Sequence, residues 1–196
     1  RILEAIYKKR VIGYRAPNAF IAGWMIDSLE GMGFKYDSSV SVNSLYNKTD
    51  GILDGVSTCP YYPKINGLDA GGKRGFVEFP WPYLNMGIKV PTAGGPMLRF
   101  LNTGTVLSGI GQSLKRGHTV LYFHPIDISE EKFPAIGNRR PMYWAIKGIT
   151  VEKKLRHLLD RLKPVKKVTL SETLESLYEG QTVRARRCRQ LATICE

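Results

Sequence analysis

The sequence predicts an α/β chain in which strands and helices alternate, the order that builds parallel sheets and barrels. Three stretches carry that prediction. Residues 11–37 read as strand, helix, strand; "HTVLYFHP" follows a helical stretch as the most apolar strand-like run; and residues 150–162 repeat Val and Leu at helical spacing. With 196 residues, 43% of them hydrophobic and 23% charged, the chain can bury a sizeable core and reads as globular.

Taken in order, Ile2, Leu3 and Ile6 are spaced as on a helix. Because that helix starts at Arg1 rather than Met, the natural start is expected upstream. Residues 11–14 form a short apolar strand. Asn18 is expected to cap a helix reaching Gly31, with Ile21, Trp24, Met25 and Leu29 at helical spacing. The glycines of "GMGF" stop it, and Phe34 to Tyr36 begin a second strand that ends at Asp37. One crossover unit of a parallel sheet results. Periodicity then fails from Ser41 to Gly75, a length that marks a functional loop or an insertion. Phe76 to Phe79 reads as a strand and "PTAGGPMLRF" as a loop. A helix is expected from Thr105 to Arg116 with Leu107, Ile110 and Leu114 inward. Gly117 leads from it into the strand that ends on His124 and Pro125. Thr150 is expected to cap a helix buried through Val151, Leu155, Leu158, Leu159 and Leu162. Lys166 to Val168 reads as a last strand, and Thr169-x-x-Glu172 as a capping box opening a helix to Tyr178.

Charge and cysteine usage narrow the function classes. The formal charge is +12, but Arg184, Arg186, Arg187 and Arg189 crowd a tail after Gly180. Residues 1–180 are therefore expected to be the folded portion, and 181–196 a basic, disordered tail. Elsewhere bases alternate with acids, as in "EKKLRHLLDRLK", and no aromatic-basic stripe suited to stacking bases is present. Nucleic acid is not an expected partner. No apolar run approaches the ~18 residues of a membrane span. Cys59, Cys188 and Cys195 make neither a disulfide framework nor a Cys-x-x-Cys zinc site, and lean toward a reducing compartment such as the cytoplasm.

Arg15, Asp37 and His124 each follow an apolar strand-like run. In parallel α/β sheets the C-terminal strand ends line the site, so the three are candidates for one catalytic face. Pro17 fixes φ and restricts Ala16, which holds the Arg15 turn in one shape. Against this stands a structural Arg15–Asp37 ion pair at a sheet rim. His124 could equally be a satisfied core histidine, although Pro125 and Asp127 favour a rigid turn with a carboxylate in reach. His118, just past a helix C-terminus, reads as structural, and His157 as solvated.

At these residues the chain resembles a known family. "GYRAPNAF", "GFKYDSSV", "TAGGPMLRF" and "VLYFHPIDI", in that order, are similar to the later motifs of metal-dependent polysaccharide deacetylases, the exopolysaccharide-associated subgroup above all. The resemblance runs from residue 1 to about 178. It implies a distorted, partial (β/α) barrel and hydrolysis of acetyl groups, N-acetyl foremost, on a polysaccharide or oligosaccharide. It also implies that Arg15 orients the catalytic base, Asp37 supports the catalytic histidine, and His124 is the general acid. The Asn18 backbone N–H would help hold the oxyanion. Arg99 would shape a substrate loop. Trp81, Tyr83 and Tyr143 are candidate sugar-stacking aromatics.

The family's divalent metal, expected to be zinc, needs an Asp-Asp pair and a His-x-x-x-His pair. Neither motif occurs in these 196 residues, so no metal ligand is assigned here. The expectation is a C-terminal portion of a deacetylase, inactive alone, whose partner is the missing N-terminal segment of the same protein. The competing expectation is a non-catalytic carbohydrate-binding or scaffold relic of the same fold.

Overall fold

The computed structural model describes residues 2–41, 58–132 and 146–180. Its centre is a three-stranded parallel sheet of β1 (Gly13–Tyr14), β2 (Tyr36–Asp37) and β3 (Val77–Glu78), in that order. The register sets Tyr14 opposite Asp37 and Asp37 opposite Glu78. The β1–β2 crossover is therefore parallel, as the alternation of residues 11–37 predicts.

The crossover helix starts later than expected. Pro17–Ala19 form a 3-10 turn in which Asn18 (φ 54°) and Ala19 (φ 59°) lie in the left-handed region, so no helix can run through them. The helix, α2, spans Gly23–Gly31 with Ala22 as its cap, and Asn18 is not its cap. Gly23 is required at its start: a Cβ there would lie 2.3 Å from the Gly67 backbone nitrogen. Ile26 and Leu29 face inward and join Ile21, Val40, Leu68 and Phe76 in one apolar core, with Met25 packed at its margin. Trp24, expected on that face, is instead exposed. Before the sheet, α1 (Ile2–Tyr7) is helical as expected and buries none of its residues.

Three elements after β3 were not anticipated. Tyr83–Asn85 (β4) and Lys89–Pro91 (β5) form an antiparallel hairpin through Met86, Gly87 and Ile88, with Gly87 at φ +89°. The stretch expected as a loop contains α3 (Gly95–Phe100). Gly94, at φ +91°, turns the chain and Pro96 sits in the first helical turn, where a missing N–H costs nothing. Asn102 then caps α4 (Thr103–Leu114), its Oδ1 accepting from the Thr105 N–H at 2.8 Å. Ile110 is buried as expected, beside Val106, while Leu107 and Leu114 pack at the edge.

Residues 118–124, expected as the strongest strand, join neither sheet. High apolarity suits burial in any conformation, and a strand also needs a neighbour to ladder with. The segment ends at a single helical turn, α5 (Pro125–Ile128). Next described is α6 (Ile149–Arg161), which opens from Gly148 (φ +73°), so Thr150 lies inside its first turn rather than capping it. Val151, Leu155 and Leu158 close the second core against Leu98, Val106 and Ile110. Leu162 packs at its edge, whereas Leu159 is exposed.

Residues 165–180 belong to a separate unit. Lys166 to Val168 are not a strand. The capping box does form: the Thr169 N–H donates to Glu172 Oε2 at 2.6 Å and the Glu172 N–H to Thr169 Oγ1 at 3.2 Å, opening a helix over 170–180. The described residues thus make a mixed α/β arrangement with two small sheets and no closed barrel among them. Residues 181–196, and 42–57 of the long irregular stretch, lie outside the described residues.

Candidate functional site

Arg15 leaves β1 and is held from both sides. Its Nη2 donates to Ser38 Oγ at 2.7 Å, and its guanidinium lies 4.3 Å from the Tyr122 ring centroid and 5.7 Å from that of Trp81. Ser38 follows β2, and its hydroxyl in turn donates to the Phe79 carbonyl at 2.8 Å. The Trp81 indole N–H donates to the Ser38 carbonyl at 3.0 Å. Three strand ends therefore fix one guanidinium. Burial pulls Arg15 below its ordinary value, opposed by Tyr122, Asp37 and Glu78, and a guanidinium so shifted still carries its charge at neutral pH. Burial also pushes the Tyr122 phenol up to about 12, partly countered by Arg15.

Tyr122 links this arginine to the histidine. Its ring meets the His124 ring edge-on, with centroids 5.5 Å apart, and stacks obliquely on Trp81 at 4.8 Å. His124 is exposed at the end of the apolar run. Its backbone N–H donates to Asp127 Oδ2 at 2.7 Å, and its carbonyl accepts from the Asp127 N–H at 2.9 Å. Asp127 is buried and ion-paired with Arg99, whose Nε reaches Oδ1 at 2.8 Å and whose Nη2 donates to the same oxygen. Lys154 of α6 donates to the Arg99 and Leu101 carbonyls, tying α3 to α6.

The structure thus brings Arg15 and His124 to one aromatic cluster, from the first strand end and from the end of the apolar run. Asp37 takes a different place. It is fully buried in β2, with Oδ1 accepting from Ser39 Oγ at 2.8 Å, and its described partners do not include His124. Nor do Arg15 and Asp37 form an ion pair among the described residues; Ser38 takes the guanidinium instead. Arg99, expected in a substrate loop, lies on α3 and is turned inward to Asp127. Asn18 is exposed in its left-handed turn. Trp81 belongs to the cluster, Tyr83 is buried in β4, and Tyr143 lies outside the described residues.

Three participants are missing from the sequence reading. Ser38 and Ser39 were legible only as part of the motif "YDSSV". Glu78 had a plainer signal, a carboxylate inside the apolar run "FVEFP". Among the described residues no three His, Cys, Asp or Glu side chains are grouped to hold a metal. No described helix is long and apolar enough to cross a membrane.

Comparison with protein families gives a match. Residues 40–170 fit the model of a domain of unknown function, DUF3473, a family associated with polysaccharide deacetylase-like proteins. No curated protein and no solved structure matches the chain.

Proposed function

The chain belongs to the DUF3473 family, and we propose that it is the acid-bearing portion of a carbohydrate deacetylase that hydrolyses acetyl groups, N-acetyl foremost, on a polysaccharide or oligosaccharide. One observation carries the reading: Arg15 and His124, the residues matching the arginine and late histidine of the polysaccharide deacetylases, meet across Tyr122 although they lie far apart in the sequence.

In this reading His124 protonates the leaving amine or alcohol as the carbon–heteroatom bond breaks. Its exposure gives a substrate access, and Asp127 fixes the backbone from which the imidazole projects. Arg15, a fixed cation, orients the carboxylate that acts as base. The Asn18 N–H is the oxyanion donor. Asp37 acts at a distance, through the Ser38–Ser39 segment that seats Arg15. A partial (β/α) barrel is the fold in which these strand ends would line one face. The metal of the polysaccharide deacetylases, zinc by expectation, would supply an activated water; the described residues offer it no ligand set, and this reading gives them no part in holding it. The Trp81–Tyr122 pair also suits sugar stacking, which favours carbohydrate binding as the second reading if catalysis is absent.

Acetate release by the parent protein from acetylated oligosaccharides tests the proposal. His124→Ala is expected to lower kcat by roughly 10²–10⁴-fold with little change in KM. An unchanged kcat contradicts it. The 196-residue chain alone is expected to release no acetate.

A further inference from the structure

Beneath Arg15, β2 and β3 set two carboxyl groups side by side. Asp37 and Glu78 are register partners on neighbouring parallel strands, which lie about 4.8 Å apart, and both are fully buried. One oxygen of each is occupied. Glu78 Oε1 accepts from the Val40 N–H at 2.9 Å and the Ser39 N–H at 3.2 Å, while Asp37 Oδ1 accepts from Ser39 Oγ. The remaining oxygens, Asp37 Oδ2 and Glu78 Oε2, are buried and meet no donor among the described residues. Two ionised carboxylates cannot sit together in that setting without a cation between them, and a buried acceptor left unmatched is costly.

We propose that Asp37 and Glu78 share one proton, Glu78 being the neutral acid that donates from Oε2 to Asp37 Oδ2, and that this pair is the positioning device for Arg15. The connection is direct. The pair clamps Ser39 through its N–H and its hydroxyl, and Ser39 Oγ accepts from the Ala16 N–H at 2.7 Å, next to Arg15. Ser38, between the clamped residues, then receives the guanidinium. Burial, then the neighbouring Asp37 charge, pushes Glu78 well above the ordinary carboxylate range, and burial raises Asp37 as well. The other groups facing the pair are Arg15, whose charge favours ionisation, and Tyr61, whose phenol is itself pushed up by burial and by Glu78, Asp37 and Asp69. Tyr61 also pairs with Glu78 through backbone hydrogen bonds of 3.0 and 2.8 Å.

A role for the pair in catalysis rests on the deacetylase reading; the shared proton does not, and it can be tested on the 196-residue chain alone. Infrared spectroscopy at neutral pH is expected to show a protonated carboxyl band that Glu78→Gln abolishes, because the amide donates where the acid did. No such band in the unaltered chain, or a band that survives in Glu78→Gln, overturns the proposal. The sign of the stability effect follows from the raised acid: its contribution is whole below the ordinary carboxylate range and is lost as pH climbs through the raised value. Glu78→Gln cannot ionise, so its melting temperature should gain on the unaltered chain as pH rises from about 5 to 9. A constant difference contradicts the pair. The positioning role is read from the Trp81 indole N–H resonance, which reports on the Ser38 carbonyl. It should hold in Glu78→Gln and shift in Glu78→Ala; a shift in Glu78→Gln as large as in Glu78→Ala refutes it. Should Glu78→Ala not fold, the same resonance in Glu78→Gln still decides, since displacement there alone refutes the role. If the parent protein releases no acetate while the band behaves as expected, the deacetylase reading falls and the proton pair stands.

Discussion

Arg99 and Asp127 meet with 4% and 1% of their surfaces exposed, and Asp127 carries the His124 backbone on its second oxygen. Removing one partner of such a pair leaves a buried charge without compensation. Asp127→Ala should therefore cost about 3–5 kcal/mol in urea unfolding, and Asp127→Asn, which retains an acceptor for His124, less. Gly95 lies against the Asp127 carboxylate. A Cβ there would lie 1.7 Å from Asp127 Oδ2, so Gly95→Ala should also lower the unfolding midpoint. A midpoint unchanged in both Asp127→Ala and Gly95→Ala would remove the pair from the account. At this scale the sequence was a partial guide. Arg15 and His124 were legible because each ends an apolar run, and Asp127 because it neighbours His124. The inward turn of Arg99 was not, since "TAGGPMLRF" reads as a loop that it was expected to shape for the substrate, and its partner lies on a different helix. Glu78 stood inside an apolar strand, but a lone carboxylate there gives no hint of Asp37 opposite it until the register is known.

Elements with a long apolar period were the most legible. In α6, Val151, Leu155 and Leu158 bury as their spacing demands, and Leu158→Ala should cost about 2–5 kcal/mol by opening the second core. Asn102→Ala should cost about 0.5–2 kcal/mol through the lost cap of α4. Near-zero losses in thermal or urea unfolding would show that these helices are held by something other than the core and cap described. The Thr169–Glu172 box was legible from two residues alone, because both halves of a reciprocal cap are local. The hairpin of β4 and β5 and the six-residue α3 were not, since short elements carry too little periodicity to register. Residues 118–124 misled in the opposite sense: their apolarity signals burial, whereas strand identity depends on neighbours that a local pattern does not contain.

For the molecule as a whole, the parallel pairing of β1 and β2 was readable from alternation, whereas the place of β3 beside β2 was not; the three-strand order gathers the Arg15, Ser38 and Trp81 groups at one end of the sheet. The assignment to polysaccharide deacetylases came from motif order, and the family match over residues 40–170 supports that direction without supplying an activity. Charge is a poorer guide. Four of the basic residues behind the +12 lie after Gly180, and the described surface mixes signs, as in the Arg156–Glu152 and Lys163–Asp160 pairs. What joins these distant stretches of sequence is the line from Arg15 through Tyr122 to His124. A double-mutant cycle on acetate release by the parent protein addresses it directly, with Arg15→Met, His124→Ala and the pair compared for kcat. Service at a single reacting centre predicts that the double variant is little worse than the poorer single one. Variants that all retain the parent rate, or losses that simply multiply, would contradict the account.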